Sequence, residues 1–202
     1  NRIPEFGALY APYLVENVAG AAALLNSQEA RGMLTQLPAK IGVVGIGYAL
    51  GGMRQIISRG SITSADDLRG LKLRVTPLEP IRDFYLELGA APIPLPIGSV
   101  YDALANGQID AIDMDMENTW KQKYFSLGET VLLSNHMMFP MIGLVSGVRW
   151  RSLSPELRTT ITTVMTEHLN TIAATYEQAE VEYEAGLRAS GIDVQQVGAD
   201  FF

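Results

Sequence analysis

The stretch GLKLRVTPLEP, residues 70–80, predicts a short strand followed by a helix. Its apolar residues alternate with Lys72 and Arg74, which is the two-residue period of a strand that packs one face against a core. Pro77 lacks the N–H that a strand ladder requires, so we expect the chain to leave the sheet just after Arg74. Pro80 is favourable in the first turn of the helix that follows. The stretch therefore places Arg74 at the rim of a sheet, at the carboxyl end of a strand.

The same alternation of strands and helices continues towards the N-terminus. Helical spacing of apolar residues predicts a helix over 19–37. The apolar run 41–49 is typical of a strand buried on both faces of a parallel sheet, and 53–60 is predicted as a second extended piece. Ser64, with acidic residues in the turn after it, predicts a short helix over 64–70.

Towards the C-terminus the alternation ends in a long helix. In chain order, the predicted strands are 93–96, 108–115, 129–136, 139–148 and 191–198, and the predicted helices are 80–88, 98–107 and 117–125. The last helix begins at the N-cap Ser154, and its apolar spacing continues for about 32 residues, or roughly 50 Å. This order of elements predicts an α/β fold with mainly parallel sheets.

Composition excludes several functional classes. The chain of 202 residues is 48% hydrophobic and carries a net charge of -7 without a run of basic residues, which argues against a nucleic-acid partner. No apolar stretch is long enough to span a bilayer. Cysteine is absent and histidine occurs twice, with no spacing typical of a metal site. Because no P-loop, dinucleotide-binding or nucleophile-elbow motif occurs either, we expect neither a metal, nor a cofactor, nor an enzyme.

Arg74 has two interpretations at this stage. Ligands of open α/β sheets bind beyond the carboxyl ends of the strands, and a guanidinium matches a carboxylate with paired donors. Arg74 is therefore a candidate for binding a carboxylate ligand. The alternative is an internal salt bridge to Asp66, Asp67 or Asp110.

The sequence resembles one known family through several short motifs in a fixed order. The motifs are RQIISRGSI, DDLRGLKLRV, LGAAPIPLPIGSVYDALANGQIDAID, YF, SNH and LSPEL at the start of the long helix. They resemble the solute-binding proteins of TRAP (tripartite ATP-independent periplasmic) transporters. The resemblance runs from about residue 3 to the end of the chain, and residues 54–155 are its specific part.

The resemblance implies a two-lobed, periplasmic-binding-protein-like fold with discontinuous lobes. Residues 1–51 and 140–179 would form lobe one, and residues 52–139 and 180–202 would form lobe two, with the long helix crossing between them. Family members carry strands before the segment found here and a further helix after it. Lobe one is therefore expected to be incomplete in this chain.

The resemblance also implies which residues bind the ligand. The arginine that clamps the ligand carboxylate in that family falls on Arg74, and a second basic candidate is Arg54 in MRQIIS. The alternative for Arg54 is a solvated loop cation. In many members, glutamate and asparagine follow soon after the aspartate that matches Asp110, whereas here Asp113 and Met114 take their places.

A methionine donates no hydrogen bond, so the departure at Met114 affects the expected pocket. Either Asp115 or Asn118 substitutes for the missing asparagine, or the pocket is more apolar here. The residues predicted to bind ligand are therefore Arg74, Arg54, Met114, Asp115 and Asn118.

The predicted function is that of a periplasmic solute-binding protein. It would capture a small organic carboxylate between its lobes and deliver it to the membrane subunits of a TRAP transporter. One alternative is an enzyme, such as a decarboxylase or lyase, that acts on a carboxylate on the same class of fold. The other is a scaffold or interaction module that binds no small molecule.

Overall fold

The computed structural model describes residues 3–202. Its strands are β1 (Val43–Ser58), β2 (Lys72–Val75), β3 (Ala91–Pro94), β4 (Ala111–Asp115), β5 (Thr130–Leu133), β6 (Met138–Ser146) and β7 (Asp193–Gln196). Its α-helices are α1 (Val18–Leu25), α2 (Gln28–Leu34), α3 (Leu37–Ile41), α4 (Glu79–Glu87), α5 (Val100–Ala105), α6 (Met116–Lys121), α7 (Gly147–Ser152) and α8 (Pro155–Ala189). Short 3-10 helices cover Pro4–Tyr10, Ala65–Leu68, Ile97–Ser99, Tyr124–Leu127 and Ala199–Phe201.

The strand β1 is the centre of the fold, because it pairs with three other strands along its 16 residues. Its first half pairs antiparallel with β6, from Val43 opposite Ser146 to Met53 opposite Met138. Its second half lies between β4 and β5 and is antiparallel to both. Farther from β1, β2 is parallel to β3 and β4, and β5 is parallel to β7.

Three sequence predictions about this sheet are wrong in detail. The sheet is mixed rather than mainly parallel, since every pairing of β1 is antiparallel. The run 41–49 was expected to be buried on both faces of a parallel sheet, but residues 43–47 are only half-buried and pair with the antiparallel β6. Residues 53–60 do not start a separate piece either. The two glycines before Met53 form an irregularity in the pairing with β6 and not a turn, so the strand continues.

Buried apolar residues form separate cores on the two halves of β1. One core contains Leu50 and Met53 and packs α1, α2 and α3 against the first half of the strand. Beside the second half, one core contains Ile57 and another contains Ile56. The two halves of one strand therefore belong to different cores, although the division into lobes at 51/52 and 139/140 stays a prediction.

Most of the predicted helices form with altered ends. The helix predicted over 19–37 is two helices, α1 and α2, because Ser27 accepts a hydrogen bond from the backbone N–H of Ala30 and starts a new helix after α1. The helix predicted over 64–70 is the 3-10 helix Ala65–Leu68. The helix predicted over 98–107 is divided between Ile97–Ser99 and α5.

The predicted long helix is confirmed as α8, which has 35 residues and begins at the N-cap Ser154. At 1.5 Å per residue its length is about 52 Å. Tyr176 on this helix lies against Gly52, where a Cβ atom would come within 2.7 Å of the ring. Gly52 also has a φ of +87°, so both the close approach of α8 and the backbone conformation favour glycine there.

Candidate functional site

Four buried charged side chains meet where β1, β2 and β4 lie side by side. They are Arg54, Arg74, Asp113 and Asp115, hereafter the charge cluster, and none is more than 4% exposed. Arg54 on β1 stands opposite Asp115 on β4 in the antiparallel register, and β2 lies on the other side of β4. Buried charges are stable only when they are paired or hydrogen-bonded, so the contacts of each member decide what it can do.

Arg54 uses most of its donors inside the protein. Its Nε donates to Asp113 Oδ1 at 2.7 Å, its Nη2 donates to the same oxygen and to the Asp113 carbonyl, and its Nη1 donates to Asp115 Oδ2 at 3.3 Å. Its guanidinium carbon also lies 5.1 Å from the centre of the Phe139 ring. Burial opposes the charge of Arg54, but the attraction of Asp113 and Asp115 outweighs it and raises the pKa of Arg54. The interpretation of Arg54 as a solvated loop cation is therefore wrong.

Asp113 connects Arg54 to a hydrogen-bond network that the sequence did not predict. Tyr85 donates its hydroxyl to Asp113 Oδ2 at 3.0 Å, and His136 Nε2 lies 3.0 Å from the same oxygen. On its other side, His136 Nδ1 is 2.7 Å from Ser134 Oγ. Burial would raise the pKa of Asp113, but Arg54 and His136 outweigh it and hold that pKa well below its usual range. The signal for His136 in the sequence was its place in the SNH motif, at the end of the strand predicted over 129–136.

Arg74 makes fewer contacts, and they are of another kind. Its Nε and Nη2 donate to the carbonyl of Leu95 at 3.0 and 2.8 Å, and its Nη1 donates to the carbonyl of Asp113 at 3.3 Å. A guanidinium has five N–H groups, so two of them have no acceptor among residues 3–202. Burial and the nearby charge of Arg54 lower the pKa of Arg74, in spite of an opposite effect from Asp113.

The salt bridges proposed as the alternative for Arg74 do not form. Asp66 pairs with Arg69 at 2.8 Å on the surface, Asp67 accepts hydrogen bonds from Thr63 and Ser64, and Asp110 accepts one from the backbone N–H of Lys72. Within the described part of the chain, Arg74 has no carboxylate within salt-bridge distance. Its charge is therefore solvated only by backbone carbonyls.

Asp115 and Asn118 lie together at the start of α6. Asp115 Oδ1 accepts the backbone N–H of Asn118 at 2.8 Å and so caps the helix, and the Asn118 side chain donates to both carboxylate oxygens. The Tyr176 hydroxyl of α8 donates to Asp115 Oδ1 at 3.4 Å. These contacts bring two of the predicted ligand residues together and connect them to the long helix.

Met114 lies on the face of β4 opposite to Asp113, Asp115 and their partner Arg54, and on the same face as Arg74, which pairs with Ile112. Successive side chains of a strand point to opposite faces, so Met114 faces away from Asp113 and Asp115, its neighbours on β4. It is 1% exposed and packs in the core that contains Ile57 and Leu187. Its role as a ligand residue stays a prediction, as do those of Arg54, Asp115 and Asn118.

Replacing Met114 with asparagine tests this position. We expect the free energy of unfolding to fall by about 1–3 kcal/mol, because a buried amide replaces a thioether in an apolar core. We also expect the order of affinities in a panel of organic acids to stay unchanged, as measured by thermal shift on both proteins. A new order of affinities with little loss of stability would instead place Met114 on the pocket wall.

Two further observations concern classes of site. Residues 3–202 contain no group of three or more His, Asp or Glu side chains placed to hold a metal ion. Across the same range, no helix combines the length and apolar character needed to cross a membrane.

Comparison with known proteins assigns the family. A family model described as "Bacterial extracellular solute-binding protein, family 7" matches residues 1–201. The 2,3-diketo-L-gulonate-binding periplasmic protein YiaO of Escherichia coli (strain K12) is 25% identical over 192 residues, which are 95% of this chain and 58% of YiaO. The C4-dicarboxylate-binding protein DctB of Bacillus subtilis (strain 168) is 26% identical over 165 residues, or 81% of this chain and 47% of DctB. The chain thus spans about half the length of these relatives.

Solved structures with the same fold include proteins with bound organic acids. The sugar acid binding protein DctPAm from Advenella mimigardefordensis strain DPN7T, in complex with galactonate, is 28% identical with a TM-score of 0.90 over 98% of this chain and 64% of that one. A TRAP periplasmic solute binding protein from Pseudomonas aeruginosa PAO1 with bound L-malate is 20% identical and has a TM-score of 0.90 over 99% of this chain and 70% of that one. These similarities confirm the predicted two-lobed α/β fold class. Because the family model covers nearly the whole sequence and the motifs of residues 54–155 agree with it, the chain belongs to the bacterial extracellular solute-binding proteins of family 7, the family of the TRAP solute-binding proteins.

Proposed function

We propose that the protein captures a small organic carboxylate in a cleft between two lobes and delivers it, in the periplasm, to the membrane subunits of a TRAP transporter. The observation that carries the proposal is the state of Arg74. Three of its N–H groups are fixed by backbone carbonyls, two are available, and no carboxylate of residues 3–202 neutralises its charge. A ligand carboxylate would supply both the missing charge and the missing acceptors.

The surrounding contacts support this role for Arg74 by fixing its geometry. The Leu95 carbonyl holds one edge of the guanidinium, and the Asp113 carbonyl holds a second donor. Asp113 is itself held by Arg54, Tyr85 and His136. In the proposal, Arg54 acts mainly by holding Asp113, whose carbonyl in turn holds Arg74. One N–H group of Arg54 is left for direct contact with the ligand. The relatives crystallised with galactonate and L-malate show that the fold accommodates ligands of this chemical class.

Binding is tested by titrating the intact protein with a panel of organic acids in a calorimeter. A thermal-shift measurement on the same samples gives an independent readout, because a ligand at 100 times its Kd stabilises the folded state by about 2.7 kcal/mol. Product analysis of the samples after incubation tests the enzyme alternative. Saturable binding without turnover supports the proposal. Turnover of an acid would support the enzyme, and the absence of any binding would support the scaffold.

In the proposal, ligand binding closes lobe one (1–51 and 140–179) onto lobe two (52–139 and 180–202). The proposed crossings are at Gly51–Met53, near Pro140 and near Ala179 in α8. Two features support them. β1 is continuous through Gly52, whose pairing is irregular and whose backbone is in the left-handed region. Separate cores lie on either side of that point.

Closure should make the molecule more compact without changing its secondary structure. We expect the radius of gyration from small-angle scattering to decrease when a bound acid is present, while the far-ultraviolet circular dichroism stays constant. The helix α8 should pivot rather than unfold, since a 35-residue helix that melted would lower the helical signal. Binding with an unchanged radius of gyration would contradict closure and indicate a rigid pocket.

A further inference from the structure

The charge cluster is neutral as a whole, but its charges are unevenly distributed. Its two carboxylates, Asp113 and Asp115, both contact Arg54, which donates three hydrogen bonds to them and a fourth to the backbone carbonyl of Asp113. Arg74 contacts only backbone carbonyls. Arg54 therefore pairs with two carboxylates, whereas Arg74 pairs with no carboxylate in the described part of the chain. The pKa directions agree, because that of Arg54 is raised and that of Arg74 is lowered.

Towards α8, the residues next to the cluster include a tyrosine and a buried glutamate. Tyr176 contacts Asp115, and Glu180 accepts the backbone N–H of Met53 at 3.3 Å. Burial raises the pKa of Glu180 to about 7, and the negative charges of Asp115 and Glu184 add to this effect. Glu180 and Asp115 are thus close enough to repel each other. A second negative charge placed on this side would meet repulsion as well.

We infer that the site accepts organic acids with a single carboxylate, discriminates against dicarboxylates, and owes this discrimination to Asp115. The inference rests on the proposed function, because it assumes that the acid binds at Arg74. When one ligand carboxylate binds at Arg74, it supplies the anionic partner that Arg74 lacks. The cluster and the ligand together then carry one net negative charge. Asp115 is close enough for its charge to act on Arg74, and among residues 3–202 it has one cationic partner, Arg54, which it shares with Asp113. A second carboxylate on a short acid bound at Arg74 would therefore add a negative charge within the electrostatic range of Asp115. Replacing that carboxylate with a neutral hydroxyl removes the repulsion.

Pairs of acids that differ in one carboxylate test the inference on the unmodified protein. Galactonate and galactarate share a six-carbon polyhydroxylated chain, and 2-hydroxybutyrate and malate share a four-carbon chain. We expect calorimetric titration at pH 7.5 to give a Kd at least about tenfold lower for the monoacid of whichever pair binds. Equal affinity within the pair, or tighter binding of the diacid, overturns the inference and leaves the proposed function intact. If neither pair nor any acid of the wider panel binds, the proposed function fails and the inference fails with it.

Asp115→Asn tests the residue. Asparagine also caps helices, and Asp113 still pairs with Arg54, so we expect the variant to fold. Without the charge of Asp115, the preference for the monoacid should fall to about threefold or less, mainly through tighter binding of the diacid. Asp66→Asn is the matched control, because Asp66 is exposed in the segment before β2 and pairs only with Arg69. An unchanged preference in Asp115→Asn, equal to that of the control, overturns the assignment of Asp115.

Discussion

Replacing Arg74 with alanine is expected to weaken carboxylate binding by about 2–5 kcal/mol, the largest effect on affinity of any single change in this protein. Much of the loss comes from leaving the ligand carboxylate buried beside no cation. Arg74→Lys should also bind weakly, because a lysine ammonium cannot present paired donors to the Leu95 carbonyl and to the ligand carboxylate at the same time. Calorimetric titration with the best acid of the panel measures both effects.

Arg69→Ala is the matched control for this experiment. Arg69 is exposed, pairs with Asp66 at the surface, and lies just before the same strand β2. We expect it to keep the affinity of the unmodified protein. Melting temperatures of the variants separate loss of binding from loss of folding. Unchanged affinity in a folded Arg74→Ala variant would remove Arg74 from the site and the proposed function with it.

Replacing Arg54 with methionine is expected to give the largest loss of stability, about 3–5 kcal/mol. The substitution leaves Asp113 fully buried without its cation, and Asp115 loses the same partner. Since small proteins are stable by only about 5–15 kcal/mol, the variant should unfold at a much lower denaturant concentration. Chemical denaturation monitored by circular dichroism measures the change.

The double variant Arg54→Met with Asp113→Asn separates two causes of the lost stability, which are the unpaired charge of Asp113 and the lost packing of the Arg54 side chain. Asparagine is neutral and nearly the same size, so the double variant should be more stable than Arg54→Met alone by about 1–3 kcal/mol. Additive losses in the double-mutant cycle would show that the two residues do not interact. A loss of less than about 1 kcal/mol in Arg54→Met would contradict the buried ion pair as a source of stability.

Local sequence signals were sufficient for the parts of the fold that short-range chemistry decides. The alternation in 72–75 and Pro77 placed Arg74 correctly at a strand end, and the N-cap Ser154 with unbroken helical spacing gave α8. The sequence was misleading where one pattern fits two structures, a break between strands or an irregularity within one strand. The glycines before Met53 indicated a break, whereas the pairing with β6 holds them in a continuous strand.

The contacts of the charge cluster were beyond local signals because they depend on register. Arg54 reaches Asp113 and Asp115 only because β1 and β4 pair antiparallel, with Arg54 opposite Asp115. A shift of that register by one residue would turn Met114 towards Arg54 and Asp113 into the apolar core. The family motif supplied Arg74 and Arg54 as candidates, but it did not separate the arginine that is already neutralised from the one that is not.

The strand that passes through both halves of the sheet also decides when the chain can fold. Val43 pairs with Ser146, and Ser58 pairs with both Ala111 and Thr130, so β1 waits for partners that are synthesised much later. Such distant pairings make folding slow, and the unpaired apolar strand is prone to aggregate in the interval. Both halves of the sheet need β1 to complete their pairings. A nascent chain that ends before β6 should therefore need protection by a chaperone, and folding should be completed in one cooperative event only after α8 and β7 have emerged.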